Sequence, residues 1–219
     1  RIVAGTINVS AVDGRSLASN PGGTAVSFNP AFSGSRPAVI TTVSSNNDSD
    51  WIISSTFDGS NKNNDPTTSG FTAFLDLSWV DPETQGAEDV DYVAMAQSNG
   101  TIDGSEFHSV VSGDTIQVTP AAVTFSPAFS SVPQVTLAHM DAQDGADGGY
   151  GMVDTDSPTT VNEVYVAIEE DGPGNSRNGH AANPFSVIAF ENPSGFLETA
   201  AGDGLSGTIA GSPVLFSDG

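Results

Sequence analysis

The sequence contains no cysteine and a single lysine, Lys62, and its five Lys and Arg face 27 Asp and Glu, which gives a net charge of −22. Without cysteine there is no disulfide framework and no cysteine nucleophile. So few cations exclude a duplex nucleic-acid binder, because such binding depends on Lys and Arg neutralising phosphates. The charge also disfavours docking on an anionic membrane, and no apolar run approaches the roughly 20 residues that cross a bilayer. We therefore expect neither nucleic acid as a partner nor membrane insertion.

The excess of acid suits two kinds of folded protein. One is a protein that works at high salt, where screening makes self-repulsion tolerable. The other is an extracellular protein that binds Ca²⁺ through carboxylates. The near absence of lysine favours the first, since a calcium site needs only a few carboxylates, so we expect a halophilic source. The 12 Phe and the many Val, Ile and Thr argue against an acidic disordered chain.

Short strand signals dominate the chain. Runs rich in Val, Ile, Thr and Phe alternate with clusters of Gly, Pro, Asn, Asp and Ser, and no long segment has a helical period. The predicted strand runs are residues 38–43, 51–57, 71–79, 91–97, 134–139, 163–169 and 186–191. Many short strands with frequent turns predict an all-β fold of antiparallel sandwich or barrel type.

An internal repeat divides the chain. Residues 26–33 match residues 123–130 at six of eight positions, with an offset of 97 residues, and a proline and a β run follow each copy. A repeat of this length suits a small sandwich domain. We therefore predict two tandem antiparallel β-sandwich domains, residues 1–104 and 105–219, with the Gly- and Ser-rich segment 98–113 as the boundary region.

The C-terminal segment carries a third version of one repeated strand. Gly207-Thr208-Ile209 follows the pattern of Gly5-Thr6-Ile7. Residues 205–219 are therefore a strand that either completes another sheet, by addition to an open edge, or folds back on its own domain.

Within the first copy, several landmarks occur in a specific order. Phe28 and Phe32 lead to Pro37 and Val39, the step from Gly70 to Phe71 enters a strand that ends at Trp79, and Tyr92, Val93 and Ala94 lie in the last strand. This order resembles the H-type lectin domain, which occurs in snail agglutinins, in the C-terminal domain of discoidin and in viral tail fibres. The second copy keeps Phe125, Phe129, Pro133 and Val135 and has Glu163 at the Gly-Phe step.

The resemblance implies a six-stranded antiparallel sandwich for each copy. It also implies a homo-oligomer, most simply a trimer, with sugar bound near subunit boundaries. At the family's sugar-contacting position stands Trp79, whose ring offers a large apolar face to a pyranose. Asp76 and Asp81 are near it in sequence and could accept hydrogen bonds from sugar hydroxyls, although solvated surface is the alternative that we favour for them.

A second candidate site is a Gly-containing acidic loop with Asp141, Asp144 and Asp147. Carboxylates are the ligands that Ca²⁺ takes, but the spacing of three differs from that of an EF-hand. No cofactor is required by the sequence. If one is bound, Ca²⁺ held by these three residues is the prediction, and a solvated loop is the alternative.

The sequence indicates a non-catalytic protein. Its three histidines, His108, His139 and His180, form no metal-binding pair, and there is no Gly-x-Ser-x-Gly elbow. The first hypothesis is an extracellular or virion-surface recognition module, in a tail fibre or a surface adhesin, that binds surface glycans or a host receptor. The alternative is a purely structural subunit of a virion or an extracellular filament, assembled by subunit packing or strand exchange.

Overall fold

The structure, a computed structural model of the chain, describes residues 1–10, 12–13, 20–47, 52–76, 86–144, 149–170, 180–192, 206–209 and 212–215. All of its regular secondary structure in these ranges is β-strand, and they contain no helix. The all-β class predicted from the short apolar runs is confirmed.

Sixteen strands follow one another along the described residues. In chain order they are β1 Ile2–Val9, β2 Val12–Asp13, β3 Thr24–Ser27, β4 Ala38–Val43, β5 Ile53–Phe57, β6 Gly70–Asp76, β7 Glu88–Met95, β8 Ser98–Ile102, β9 Ser105–Val111, β10 Ala121–Thr124, β11 Val135–Met140, β12 Gly149–Val153, β13 Glu163–Glu170, β14 Phe185–Phe190, β15 Ser206–Ile209 and β16 Ser212–Leu215. Strands β4, β5, β6, β7, β11, β13 and β14 coincide with or overlap the seven predicted runs.

The first half of the chain forms two sheets. In one, β7 lies between β1 and β4 and pairs antiparallel with both. In the other, β6 lies between β3 and β5, again antiparallel, with the short β2 parallel to it. Strand β6 is buried from Phe71 to Asp76 because it has neighbours on both edges and packs beneath the first sheet.

The second half repeats these pairings. Strand β14 lies between β9 and β11, with β8 beyond β9, and β13 lies between β10 and β12. The register is also repeated, since Val26 lies opposite Phe71 in the first half and Val123 lies opposite Val164 in the second. The strand order of the first half thus recurs in the second.

The duplicated sequence has the same local structure in both places. Phe28 and Phe32 contact edge to face, with ring centroids 4.9 Å apart and planes at 82°. Phe125 and Phe129 repeat this contact at 5.0 Å and 83°. Edge-to-face pairs are a favoured aromatic geometry. Each half therefore uses the repeated phenylalanines to form the same apolar contact.

Three apolar clusters lie between the sheets. The first fills the space between the two sheets of the first half and includes Val39, Phe71 and Ala94. The second fills the corresponding space in the second half and includes Val123, Val164 and Val187. The third lies between sheet β1-β7-β4 and sheet β11-β14-β9-β8, and consists of Ala38, Met95, Ile102, Phe107 and Ile188. One sheet can contribute to two clusters, because neighbouring side chains along a strand point to opposite faces.

The segment predicted as the boundary region, residues 98–113, contains a β-hairpin. Strands β8 and β9 pair antiparallel around Asp103 and Gly104, whose φ angles are 48° and 83°. Positive φ at both turn residues is what a two-residue type I′ hairpin requires, and Asp-Gly is among its preferred sequences. Strand β8 thereby becomes an edge strand of the second-half sheet, and the predicted division after residue 104 lies within a hairpin turn.

The C-terminal strands form a small hairpin. β15 pairs antiparallel with β16, from Ser206 opposite Leu215 to Ile209 opposite Ser212. β15 lies close to β8, the edge strand of the four-stranded sheet. Among the described residues, β8 is hydrogen-bonded to β9 alone, and the tail lies close to it.

Candidate functional site

The two halves enclose a pocket of about 240 Å³. It lies among strands β4 and β5 of the first half and strands β11 and β12 of the second, and its wall is rich in hydroxyl groups. The lining residues are Thr41, Thr42, Val43, Ile52, Ile53, Ser54, Ser55, Ala138, His139, Met140, Gly149, Tyr150 and Gly151. Residues 41–43 and 138–140 are related by the 97-residue offset of the repeat, so equivalent strands of the two halves face each other across the pocket. We call it the seam pocket.

A chain of hydrogen bonds runs through the wall of the seam pocket. The Thr41 hydroxyl lies 2.8 Å from Nε2 of His139 and 2.8 Å from the Ser54 hydroxyl. On the other side of the imidazole, Nδ1 of His139 is 3.4 Å from Oδ1 of Asp141. His139 is near the end of β11 and Asp141 comes directly after the strand, so the two residues, two positions apart, lie on the same side of the extended chain. The chain connects the pocket wall to a buried carboxylate.

Arg36 holds that carboxylate. Its Nη1 is 2.7 Å from Oδ2 of Asp141, which has no exposed side-chain surface, while the Arg36 side chain is 14% exposed. The Ser186 hydroxyl donates to the same Oδ2 at 2.5 Å and accepts from the backbone N–H of Val39 at 2.8 Å. Because Arg36 precedes β4 and Asp141 follows β11, this ion pair ties the two halves together beside the seam pocket.

Arg36 has a second, more exposed partner. Its Nη2 is 3.4 Å from Oδ2 of Asp65, whose side chain is 41% exposed. Burial raises the pKa of Asp65, and the guanidinium of Arg36 opposes that shift, whereas Asp141, Asp114 and Asp144 add to it. The two carboxylates bound to one guanidinium therefore lie in different environments, one buried and one near solvent.

The backbone after β11 joins the halves as well. Ala142 donates its N–H to the Thr56 carbonyl at 2.9 Å, and Gln143 donates its N–H to the Lys62 carbonyl at 2.7 Å. Ala142 reaches this position with a φ of 67°, in the left-handed region that costs an L-residue about 1 kcal/mol or more. The bonds of the surrounding chain maintain this strained turn directly next to Asp141.

The structure describes one of the three residues predicted to contact sugar. Asp76 ends β6 with its side chain fully buried, and its Oδ2 accepts a hydrogen bond from the Gln143 side-chain amide at 2.9 Å. Trp79 and Asp81 lie outside the described residues. A sugar site at these three residues stays a prediction, and Asp76 would contribute to it from a buried position.

The acidic residues predicted to bind Ca²⁺ are also placed only in part. Asp141 is paired with Arg36, and Asp144 donates its backbone N–H to the Asn183 side chain at 2.9 Å. Burial raises the pKa of Asp144, helped by the nearby charge of Asp114 and opposed by His180. Asp147 lies outside the described residues. Within the ranges that the structure describes, no three His, Asp or Glu side chains are arranged to hold a metal ion, so the calcium site stays a prediction.

His108 lies in the second half beside a smaller cavity of about 160 Å³. Its ring packs on Phe129 at a centroid distance of 4.3 Å, and burial lowers its pKa, with Glu106 opposing the shift. The first half has Val3 at this place, because Val3 pairs with Ala94 as His108 pairs with Ala189. The equivalent position of the first half therefore shows that valine fits in place of this histidine.

Replacing His108 with valine should remove a pH-dependent loss of stability. A lowered pKa means that the folded protein binds the proton less readily than the unfolded chain. The free energy of unfolding of the native protein therefore falls as the pH drops below the unfolded value of about 6.5, by at most about 1.4 kcal/mol per pH unit. The free energy of unfolding of both proteins should be measured by urea unfolding at fixed salt between pH 7.5 and pH 5. Plotted against pH, the two free energies should converge or cross as the pH falls. Parallel curves would contradict the buried, proton-poor state of His108.

No protein-family model, no curated protein and no solved structure matches the chain. In the part that the structure describes, there is no helix that is long and apolar enough to cross a membrane. What the protein does must therefore be inferred from its own residues.

The sequence does not single out the seam pocket. Its polar wall comes from Thr41, Ser54 and His139, and the first and last of these are 98 residues apart. In the sequence His139 has no second histidine at a metal-binding spacing that would mark it. Two signals point to the site: the same-face spacing of His139 and Asp141, and Arg36, one of five Lys and Arg in the whole chain.

Proposed function

We propose that the protein is a non-catalytic glycan-recognition module built from two tandem β-sandwich domains. The repeated strand order and the two separate sandwich cores support the tandem interpretation. The apolar contact between the two central sheets then makes the pair one unit. In this interpretation the site depends on the duplication, because it lies between the two copies and neither copy contains it alone.

The seam pocket is the observation that carries the proposal. Ligand pockets combine a partly apolar wall with a few positioned polar groups. Here Val43, Ile52 and Tyr150 line the pocket together with Thr41 and His139, whose polar atoms are hydrogen-bonded to each other. An aromatic ring beside hydroxyl groups suits a sugar, which has apolar C–H faces and a rim of hydroxyls.

The setting of this function is an extracellular or virion surface. An acidic, lysine-poor chain suits a protein that meets concentrated salt directly. There it would bind surface glycans or a glycosylated host receptor as part of a tail fibre or an adhesin. A homotrimer, which the resemblance to H-type lectins implies, would present three seam pockets and gain affinity through multivalency.

The proposal is tested with a glycan array probed in molar NaCl, the condition in which we expect the protein to be most stable. Selective binding to a set of related glycans is the expected result. As a matched control, the Tyr150→Ala variant should lose the signal while the Tyr92→Ala variant, which alters a tyrosine outside the pocket lining, should keep it. An empty array for a folded protein would overturn glycan recognition.

The second candidate function is a structural subunit, and the C-terminal hairpin favours it. β15 lies close to β8, at an open edge of a sheet, and strand addition to such an edge is a known mode of assembly. If the tail is exchanged between subunits, deleting residues 205–219 should convert the assembly into monomers in light scattering. An unchanged molar mass would exclude this strand-exchange version.

A further inference from the structure

The C-terminal hairpin is a second copy of the β8–β9 hairpin. Residues 206–212 match residues 99–105 at five of seven positions, a longer match than the one to β1. The pairing is repeated as well, since in each hairpin the isoleucine that ends the first strand, Ile102 or Ile209, lies opposite the serine that begins the second. In sequence and in pairing, β15 therefore corresponds to β8, and β16 corresponds to β9.

Strand β1 also corresponds to β9, because β1 pairs with β7 as β9 pairs with β14. On its other edge β9 carries β8, whereas among the described residues β1 is hydrogen-bonded to β7 alone. The Arg1 carbonyl accepts the N–H of Ala96, so the backbone groups of odd-numbered residues in β1 face β7, and those of Ile2 and Ala4 point to the other edge. The first-half sheet thus has an unpaired edge at the position that β8 takes in the second half.

The C-terminal hairpin has the converse arrangement. Strand β16 corresponds to β9, yet in the part of the chain that the structure describes it pairs with β15 alone and has no counterpart of β14 beside it. A two-stranded hairpin by itself is marginally stable in water, whereas three or more strands with an apolar face are stable. Pairing of β15 with the β1 edge in place of β16 would put a β8-like strand on the kind of sheet to which β8 belongs.

We infer that β15 of one copy pairs antiparallel with the outer edge of β1 in a second copy, where it takes the place that β8 has beside β9. This inference rests on the second candidate function, assembly through the tail. Within one chain β15 lies beside the second-half sheet, close to β8, so the β1 edge that it joins belongs to another copy. The contact joins two different surfaces of the chain, and such contacts produce either a closed ring, as in the expected trimer, or an open filament.

The β8–β9 pairing fixes the register of this contact. In that hairpin Asn99 lies opposite His108, the residue that corresponds to Val3. Ser206 corresponds to Asn99 in the sequence match, so it would lie directly opposite Val3 of the other copy. Because the backbone groups of Val3 face β7, this pair is of the kind without hydrogen bonds, with Cα atoms about 4.5 Å apart. A disulfide can bridge that distance.

The chain has no cysteine, so two single-cysteine variants, Val3→Cys and Ser206→Cys, test this register without background. Mixed in molar NaCl and mildly oxidised, they should form a covalent dimer that contains one copy of each. Its yield should be about fivefold or more above that of a control mixture, Ala4→Cys with Ser206→Cys, whose thiols would lie on opposite faces of the sheet. Equal yields from the two mixtures would overturn the inferred register.

Two further comparisons separate this inference from the function on which it rests. A variant with cysteines at both Val3 and Ser206 that closes its disulfide within the monomer would show that β15 pairs with its own β1, and would overturn the inference. If deletion of residues 205–219 dissociates the assembly but the mixture forms no dimer, strand exchange stands and the β1 edge is the wrong acceptor. If the deletion leaves the molar mass unchanged and the mixture forms no dimer, the strand-exchange function and the inference both fail.

Discussion

Replacing Asp141 with asparagine is expected to lower the free energy of unfolding by about 3 kcal/mol. Asp141 is fully buried and binds Arg36 at 2.7 Å and the Ser186 hydroxyl at 2.5 Å. Removing one charge of a buried ion pair leaves the other without compensation, which costs about 3 to 5 kcal/mol. Asparagine keeps the shape and some of the hydrogen bonds, so the lower end of that range applies. Urea unfolding at constant molar NaCl measures the change.

Asp65→Asn is the matched control, since it removes the other carboxylate on the same guanidinium. The Asp65 side chain is 41% exposed and 3.4 Å from Arg36, and exposed ion pairs contribute about 0 to 1 kcal/mol. Its raised pKa also means that its charge is disfavoured by burial. We expect a change below about 1 kcal/mol. Similar losses for both substitutions would contradict Asp141 as the buried and more strongly stabilising partner of Arg36.

A double-mutant cycle isolates the pair itself. Arg36→Gln and Asp141→Asn, made singly and together, should show a coupling of about 1 to 3 kcal/mol, in the upper part of the range of about 0.5 to 3 kcal/mol found for residues in direct contact. Arg36→Gln with Asp65→Asn should show little coupling. Additive losses for Arg36 and Asp141 would mean that the two residues stabilise the protein independently of each other.

The melting temperature is expected to rise strongly with salt. Two carboxylates about 8 Å apart repel by about 0.5 kcal/mol even in water. With 27 Asp and Glu against five Lys and Arg, repulsion between carboxylates exceeds their attraction to cations. The Debye length falls from about 10 Å at 0.1 M to about 3 Å at 1 M. Screening several kcal/mol of repulsion should raise the melting temperature by about 10 °C or more between 0.1 M and 2 M NaCl, since about 2 to 4 °C corresponds to 1 kcal/mol at this size.

The salt effect must be separated from general stabilisation by cosolutes. Sucrose, which is excluded from protein surfaces without screening charge, should raise the melting temperature less than NaCl at equal osmolality. KCl should act like NaCl. The buried pair of Arg36 and Asp141 is screened much less than surface charges, so salt should not weaken it. A melting temperature that stays constant or falls from 0.1 M to 2 M NaCl would contradict the high-salt interpretation.

The strands could be predicted from the sequence because their signals are local. Val, Ile, Thr and Phe in short runs fit a pleated, half-buried surface, and residues 38–43 are a strand with the predicted bounds. The β8–β9 hairpin was not predicted, because Gly and Ser content outweighed the Asp103-Gly104 turn signal. That signal was also local and could have been used.

The seam pocket could not be predicted, because it depends on how the two halves pack. The repeat makes two similar sandwiches foreseeable, yet nothing in the spacing brings Thr41 to His139 or Arg36 to Asp141. Those contacts form because the sheet that carries Met95 packs through an apolar face on the sheet that carries Ile188. The sequence suggests Asp76 as a sugar contact because it is acidic and close to Trp79 in the chain. The direction of its side chain, however, depends on strand alternation and burial.

The most direct test of the account is whether sugar binds at His139. The chain has three histidines, and His139 lines the seam pocket while His108 lies at the smaller cavity of the second half. In an NMR titration with the best array sugar in molar NaCl, the imidazole signals of His139 should shift in proportion to occupancy and those of His108 should stay in place. Saturable binding that leaves the His139 signals unmoved would contradict the seam pocket as the glycan site.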